Sequence, residues 1–175
     1  THLGYCSFTH VISNFLPIAY DSSREEMDQA FRKALEFAKG HIKRLYDRYH
    51  YTLNCRDIVS AAMQADKYCL MFDQNIPWID SFFELDGNDH PAQFLIMPTA
   101  EHWKLRAIPP TLEQRVKVRT PLPKKWAGLL EEDLKQVSRI PGAIFCHKGR
   151  FISVWETKED ALKALELVLN ESTDG

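Results

Sequence analysis

At 175 residues the chain has room for one domain, or one domain with an appendage, and a hydrophobic share of 45% supports a real core and argues against disorder. Lys and Arg number 22 against 24 Asp and Glu, a formal net charge of −2, so any nucleic-acid contact must come from a local patch. The four cysteines (Cys6, Cys55, Cys69, Cys146) are widely spaced with no C-x-x-C, which fits reduced thiols in a cytoplasmic protein better than a disulfide scaffold or a zinc site, and no apolar run reaches the ~18 residues of a membrane span.

Residues 1–21 are apolar and small with few charges: Tyr5, Phe8, Val11, Ile12, Phe15 and Leu16 show no clear period. They read either as an arm packed on its own domain or as part of an interface. The first residue is Thr rather than Met, as expected of a processed product or a piece of something longer. Ser23 and Glu26 form a capping-box pattern that opens a long helix to about Tyr49. Met27, Ala30, Phe31, Ala34, Ala38, Ile42, Leu45 and Tyr49 step by three or four along one face. A second helix, from Asn54 or Cys55 to about Ala65, carries Ile58, Val59, Ala62 and Met63. The two predict an antiparallel pair or a connector leading into the domain proper.

From Lys67 the pattern changes. Tyr68–Phe72 predicts a strand, Ser81–Leu85 a helical turn or short strand, and 85–91 a turn-rich loop. Phe94–Met97 and Trp103–Ile108 predict a β-hairpin. Its first strand is apolar on both faces, and its second alternates so that Lys104 and Arg106 share one side. Thr111–Arg119 has room for a helical turn. Arg115, Lys117, Arg119, Lys124 and Lys125 place five cations within eleven residues, with Trp126 directly behind. Such a run either grips a phosphate backbone and stacks a base, or is a solvated loop anchored by its Trp.

The stretch 129–169 is the best candidate site. A short helical segment runs to Pro141-Gly142, the β-prone runs Ala143–Cys146 and Phe151–Trp155 flank Lys148-Gly149, and an amphipathic helix follows, capped by Thr157 with Asp160. Helix N-termini present free N–H groups and partial positive charge to anions. His147, Lys148, Arg150 and Lys158 all lie close to this hairpin and helix start; the plainer alternative is a solvated hairpin tip beside a well-capped helix. The order α-α-β-β-β-α-β-β-α predicts an α+β fold: a small, mainly antiparallel sheet with flanking helices behind a long N-terminal helix or helix pair. The expected divisions are 1–22, an arm; 23–66, the helix pair; and 67–175, the α+β domain.

Complete catalytic constellations are missing. No P-loop, G-x-G-x-x-G, G-x-S-x-G or H-E-x-x-H pattern occurs, and the seven histidines are scattered. Asp86, Asp89 and His90 share a loop better explained by turn chemistry than by a metal. Cys146 and His147 are adjacent, and neighbours in a strand face opposite ways, which argues against a thiolate–imidazole dyad.

Pro121-Leu122-Pro123, Trp126-Ala127-Gly128-Leu129, Asp133-Leu134, Val137-Ser138, Ile140-Pro141-Gly142 and Phe145-Cys146-His147 form an ordered series similar to the C-terminal half of the melanocyte-proliferating-gene (Myg) exonuclease family. Trp103-Lys104-Leu105-Arg106, Ile108-Pro109, Pro77-Trp78 and the Ser23–Tyr49 helix extend the resemblance over most of the chain. That family resembles the DHH-superfamily phosphoesterases, in which an N-terminal domain with motifs such as T-H-N-G-x-F-H-x-D-E holds manganese-type metals and hydrolyses phosphodiesters. Thr1-His2-Leu3-Gly4 matches only the first two letters. The resemblance therefore implies a connector and a substrate-binding C-terminal domain, with no metal, no cofactor and no catalysis in this chain alone, and with residues 1–22 as the last piece of the metal domain.

The implied partners are nucleic acid (RNA ahead of DNA) or a nucleotide, and a preceding DHH-type domain, with homodimerisation open and no membrane. The implied compartment is cytoplasmic, or nuclear or mitochondrial in a eukaryote. The implied substrate-binding residues are His147, Lys148, Arg150, Ser153, Thr157, Lys158, Arg106 and, for base stacking, Trp126. One departure bears on them. Relatives resemble G-F-I-G-G-x-x-T-R-E-G-A where this chain has Arg150-Phe151-Ile152-Ser153-Val154-Trp155-Glu156-Thr157-Lys158-Glu159-Asp160-Ala161, so the Gly-Gly pair that lets backbone approach a phosphate is replaced. The rival expectation is a protein-interaction or dimerisation domain that binds through an edge strand and the apolar N-terminal segment.

Overall fold

A computed structural model of the protein describes residues 6–173 and divides the chain into two compact units, 1–52 and 53–175. In the first unit, α1 (Phe8–Ser13) begins at Ser7, whose Oγ accepts from the His10 N–H at 3.2 Å. Phe8 lies against Phe37 and His41, with ring centroids 6.2 and 4.8 Å away, and Phe15 against Phe37 at 5.3 Å. The capping box forms as expected: the Ser23 N–H donates to Glu26 Oε2 at 2.7 Å and Glu26 N–H to Ser23 Oγ at 3.3 Å.

The long helix differs from expectation. α2 (Arg24–Ala65) is one helix of 42 residues, and the break expected near Asn54 is not there. The stretch Tyr51–Arg56 holds no Gly or Pro, so nothing interrupts the backbone ladder. The division between units falls inside this helix, at 52/53.

The second unit is the α+β domain. Its five-stranded sheet runs β1 (Cys69–Met71), β2 (Phe94–Pro98), β3 (Trp103–Ala107), β5 (Ile152–Trp155), β4 (Ala143–Cys146) in spatial order. Only the β1–β2 pairing is parallel. β2 is apolar on both faces because both are covered. Phe94 and Ile96 join Leu105, Ala107 and Trp155 beneath α4 (Glu131–Ser138) and α5 (Lys158–Thr173), whose Leu134, Ala161, Ala164 and Val168 complete that layer. Leu95 and Met97 point the other way, into a second layer with Leu70, Phe72 and Ile108, closed by Cys55, Val59 and Ala62 from the end of α2 and by Phe82 of α3 (Ile79–Glu84). Ser81–Glu84 is thus helical, with Leu85 as its cap, and Thr111–Arg119 forms turns rather than a helix.

Gly128 and Gly142 are required by close geometry. Gly128, at φ 78°, lets its N–H reach the Cys146 carbonyl at 3.0 Å. Gly142 sits where any Cβ would collide with the Asp160 carboxylate.

Candidate nucleic-acid interface

The covering of the sheet stops partway. On the side of the second core layer, β1 and β2 lie under helices, whereas Lys104, Arg106, Phe145, Ile152 and Val154 remain half-buried on β3, β5 and β4. Strand alternation puts them together. Lys104 stands opposite Val154 and Arg106 opposite Ile152, and Val154 in turn pairs with Phe145. The result is a mixed apolar and cationic face at the margin of the covered half.

Both cations are held in costly surroundings. Burial pushes the Lys104 ammonium below its ordinary value, and the charge of Arg106 adds to the effect. Burial likewise lowers Arg106, whose Nε is buried with no hydrogen-bond partner. What surrounds them is neutral: Lys104 Nζ donates to Asn75 Oδ1 at 3.3 Å, and the Arg106 guanidinium stands 6.0 Å from the Trp78 ring. Among the described residues neither has a carboxylate partner. Two like charges, partly desolvated and unneutralised, favour an incoming anion.

The expected site residues divide into three groups. Arg106 lies at the end of the sheet where β5 begins, with Ala107 N–H donating to Phe151 O at 2.9 Å. His147, Lys148 and Arg150 belong to the turn at that same end. Arg150 N–H closes the turn on His147 O at 2.8 Å, and Arg150 adopts φ 56°. His147 Nδ1 accepts from Gly149 N–H at 2.9 Å, which leaves the ring proton on Nε2, and Phe151 lies 4.4 Å away. Lys148 is exposed and Arg150 half-buried.

The second group is in the core. Ser153 is fully buried, and its Oγ accepts from Trp155 Nε1 at 2.9 Å. Trp126, also fully buried, meets Trp155 edge-on at 5.5 Å and offers no face for a base to stack on. Alternation explains the first, since Ser153 faces away from Ile152 and Val154. Trp126 anchors the short 3-10 turn Lys124–Trp126 in the first core layer.

The third group is at the far end of the sheet and already engaged. Thr157 Oγ1 accepts from Asp160 N–H at 3.1 Å and donates to Asp160 Oδ2 at 2.7 Å. Lys158 Nζ pairs with Asp73 at 2.5 Å and lies 5.3 Å from the Trp103 ring. The expected anion seat at the start of α5 is thus occupied by the chain's own acids and cap.

The cation run 115–125 is mainly structural. Arg115 pairs with Asp80 at 2.5 Å and Lys125 with Glu171, while Arg119 donates to four backbone carbonyls. Desolvation raises the Cys146 thiol to about 11 and the Cys69 thiol to about 12, so neither is a ready nucleophile. Lys104, with Asn75 beside it, is the part of the face that the expected site omitted. The alternation of Trp103–Ile108 was its signal.

A mixed sheet flanked by helices, with a cationic margin on one face, defines an α+β domain. The chain belongs to the MYG1 exonuclease family (MYG1_exonuc, described as an uncharacterised protein family, UPF0160), whose model matches residues 4–169. It is 45% identical to the MYG1 protein of Chlamydia trachomatis over 168 residues, 96% of this chain and 57% of the relative. It is 31% identical to the MYG1 protein of Dictyostelium discoideum over 159 residues, 85% of this chain and 48% of that protein. The human MYG1 exonuclease is 29% identical over 157 residues, 83% of this chain and 42% of that protein. The chain thus spans roughly half the length of the curated relatives it matches. No solved structure matches it significantly. No helix among the described residues is long and apolar enough to cross a membrane.

Proposed function

We propose that this chain is the substrate-holding part of a metal-dependent phosphodiesterase that acts on nucleic acid, with the phosphates carried on the Lys104–Arg106 face and the adjoining His147–Arg150 turn. The observation that carries this reading is the pair of half-buried cations without a carboxylate. Family membership and the exonuclease name of the human relative support phosphodiesters as the anion. Arg106 offers a fork of donors suited to phosphate oxygens, Lys104 a point charge, and Lys148 and Arg150 extend the cationic track. Phe145, Ile152 and Val154 exclude water beside the pair and strengthen its field.

Among the described residues no three His, Cys, Asp or Glu side chains converge to hold a metal, so no hydrolytic step is assigned to them. In this reading a divalent ion of the manganese type, held by a DHH-type part of a longer protein, would supply the activated water. Single-stranded RNA is the first substrate to try. The test is a fluorescence-anisotropy titration of a labelled oligonucleotide at low salt. Lys104→Ala and Arg106→Ala should each weaken binding about tenfold, from charge-assisted contacts worth about 1.5 kcal/mol, while Lys158→Ala should not. Equal affinity across all four proteins, or no binding at low salt, would overturn the assignment.

A further inference from the structure

Phe145 excludes water beside the cation pair, but the backbone that presents it points to a larger role. β4 reads Ala143-Ile144-Phe145-Cys146, and strict alternation from the buried Ala143 would turn Phe145 into the core beside it. The sheet does otherwise. Ala143 pairs with Trp155 and Cys146 with Ser153, all of them buried, so that Ile144 and Phe145 together stand opposite Val154 alone. This is a β-bulge: one extra residue on β4 shifts the register and brings Phe145 to the side of Val154.

The shifted register lines up a row across the open half of the sheet. Lys104 pairs with Val154, Val154 with Phe145, and Phe145 with Leu130, which is 57% exposed. A second row runs beside it, where Arg106 pairs with Ile152, whose carbonyl accepts from the His147 N–H at 3.0 Å. Cations thus stand on β3, aliphatic side chains on β5, and Phe145 on β4, two strands over and about 9.6 Å from the cations' backbone. Phe145 is half-buried, and the His147 ring meets it edge-on, at 85° with centroids 6.1 Å apart. Among the described residues no ring stacks on it face to face.

We propose that Phe145 is a base platform: the nucleotide whose phosphate meets Lys104 and Arg106 lays its base on the Phe145 ring. This rests on the phosphate reading above and narrows its substrate class to phosphodiesters that carry bases, as against polyanions in general. A sugar joins phosphate to base, and the neutral strip of Ile152 and Val154 lies where it would cross. Aromatic side chains on an open sheet face hold single strands in this way, and the contact tolerates any base because every base has a π-face. Trp126, the ring expected from the sequence to stack a base, is sealed in the core, whereas the bulge carries Phe145 out of it.

Fluorescence anisotropy at low salt tests the platform with two labelled RNA strands of equal length and charge, an oligoadenylate and the same backbone with abasic riboses. The unaltered chain should bind the oligoadenylate about tenfold more tightly than the abasic strand, the effect of one base stacked on one ring. Phe145→Leu should erase that preference and leave the abasic affinity unchanged, which also shows that the face is intact. Phe145→Trp should keep the preference or raise it. The double variant Lys104→Ala/Arg106→Ala should weaken both strands alike. Equal binding of the two strands by the unaltered chain, a preference that survives Phe145→Leu, or a Phe145→Leu loss shared equally by both strands overturns the platform and leaves the cationic face standing. Binding of neither strand overturns the face and the platform together.

Discussion

Replacing Arg119 by Lys should destabilise the second unit by about 3 kcal/mol. The guanidinium donates from Nη1 to the carbonyls of His90 and Ala92 at 2.6 and 2.8 Å, from Nη2 to Gly87 O at 2.5 Å and from Nε to Pro109 O at 3.2 Å. It also lies 5.5 Å from the Phe82 ring. One side chain thus pins the 85–92 loop to the exit of β3. A Lys ammonium reaches about one of the four acceptors, so three bonds are lost at a net ~1 kcal/mol each. The Ala92 carbonyl belongs to a fully buried residue and has little water to turn to. At about 2–4 °C per kcal/mol for a chain of this size, Tm should fall by roughly 6–12 °C. Urea unfolding followed by tryptophan fluorescence isolates the effect, since Trp78, Trp103, Trp126 and Trp155 all lie in the second unit. A loss below about 1 kcal/mol with an unchanged denaturant slope would show that water replaces the guanidinium and that Arg119 does not pin the loop.

Arg106→Met should leave stability unchanged or raise it by about 1 kcal/mol in the same urea assay, because it removes a desolvated charge and an unpaired Nε while keeping an apolar stem against Trp78; a clear loss would make Arg106 a structural residue. Gly142→Ala should cost about 1–3 kcal/mol in urea unfolding, since its methyl displaces the Asp160 carboxylate from the Thr157 cap; an unchanged midpoint would show that Asp160 moves freely. The Cys69 thiol has a raised folded value, about 12 against the ordinary 9.0, so its contribution to stability is complete below pH 9 and is lost as pH rises through 9 toward about 12. Unfolding midpoints at pH 8 and pH 10 should therefore fall in that order, and brief alkylation of native protein at pH 8 should label Cys6 well ahead of Cys69 and Cys146, as read by peptide mass.

Local pattern carried most of the fold. The Ser23–Glu26 box, the turns at Lys148-Gly149 and Pro141-Gly142, the apolar run Phe94–Met97 and the alternation of Trp103–Ile108 each lie within one stretch of chain and reappear as elements. Where expectation failed, the deciding contacts were distant. Nothing local separates a helix pair from one helix across residues 50–56, and whether Ser153 and Trp126 face substrate or core depends on α4 and α5 packing over the sheet. Arg119 reads as one cation among five until the carbonyls of residues 87–92 are brought beside it. The site was half legible for the same reason. Sequence proximity gathered His147, Lys148 and Arg150 with Lys158, yet strand β5 separates the turn from the helix start, and strand pairing instead joins the turn to Arg106.

The measurement that bears most directly on the cationic face is the salt dependence of oligonucleotide binding. Affinity for single-stranded RNA should be titrated across a series of salt concentrations for the unaltered chain and for the double variant Lys104→Ala/Arg106→Ala. Each phosphate contact on a single strand contributes about 0.7 to the slope of log affinity against log salt, so the variant's slope should be shallower by roughly 1.4. Parallel slopes, with the variant's affinity unchanged, would show that Lys104 and Arg106 meet no phosphate and would contradict the account.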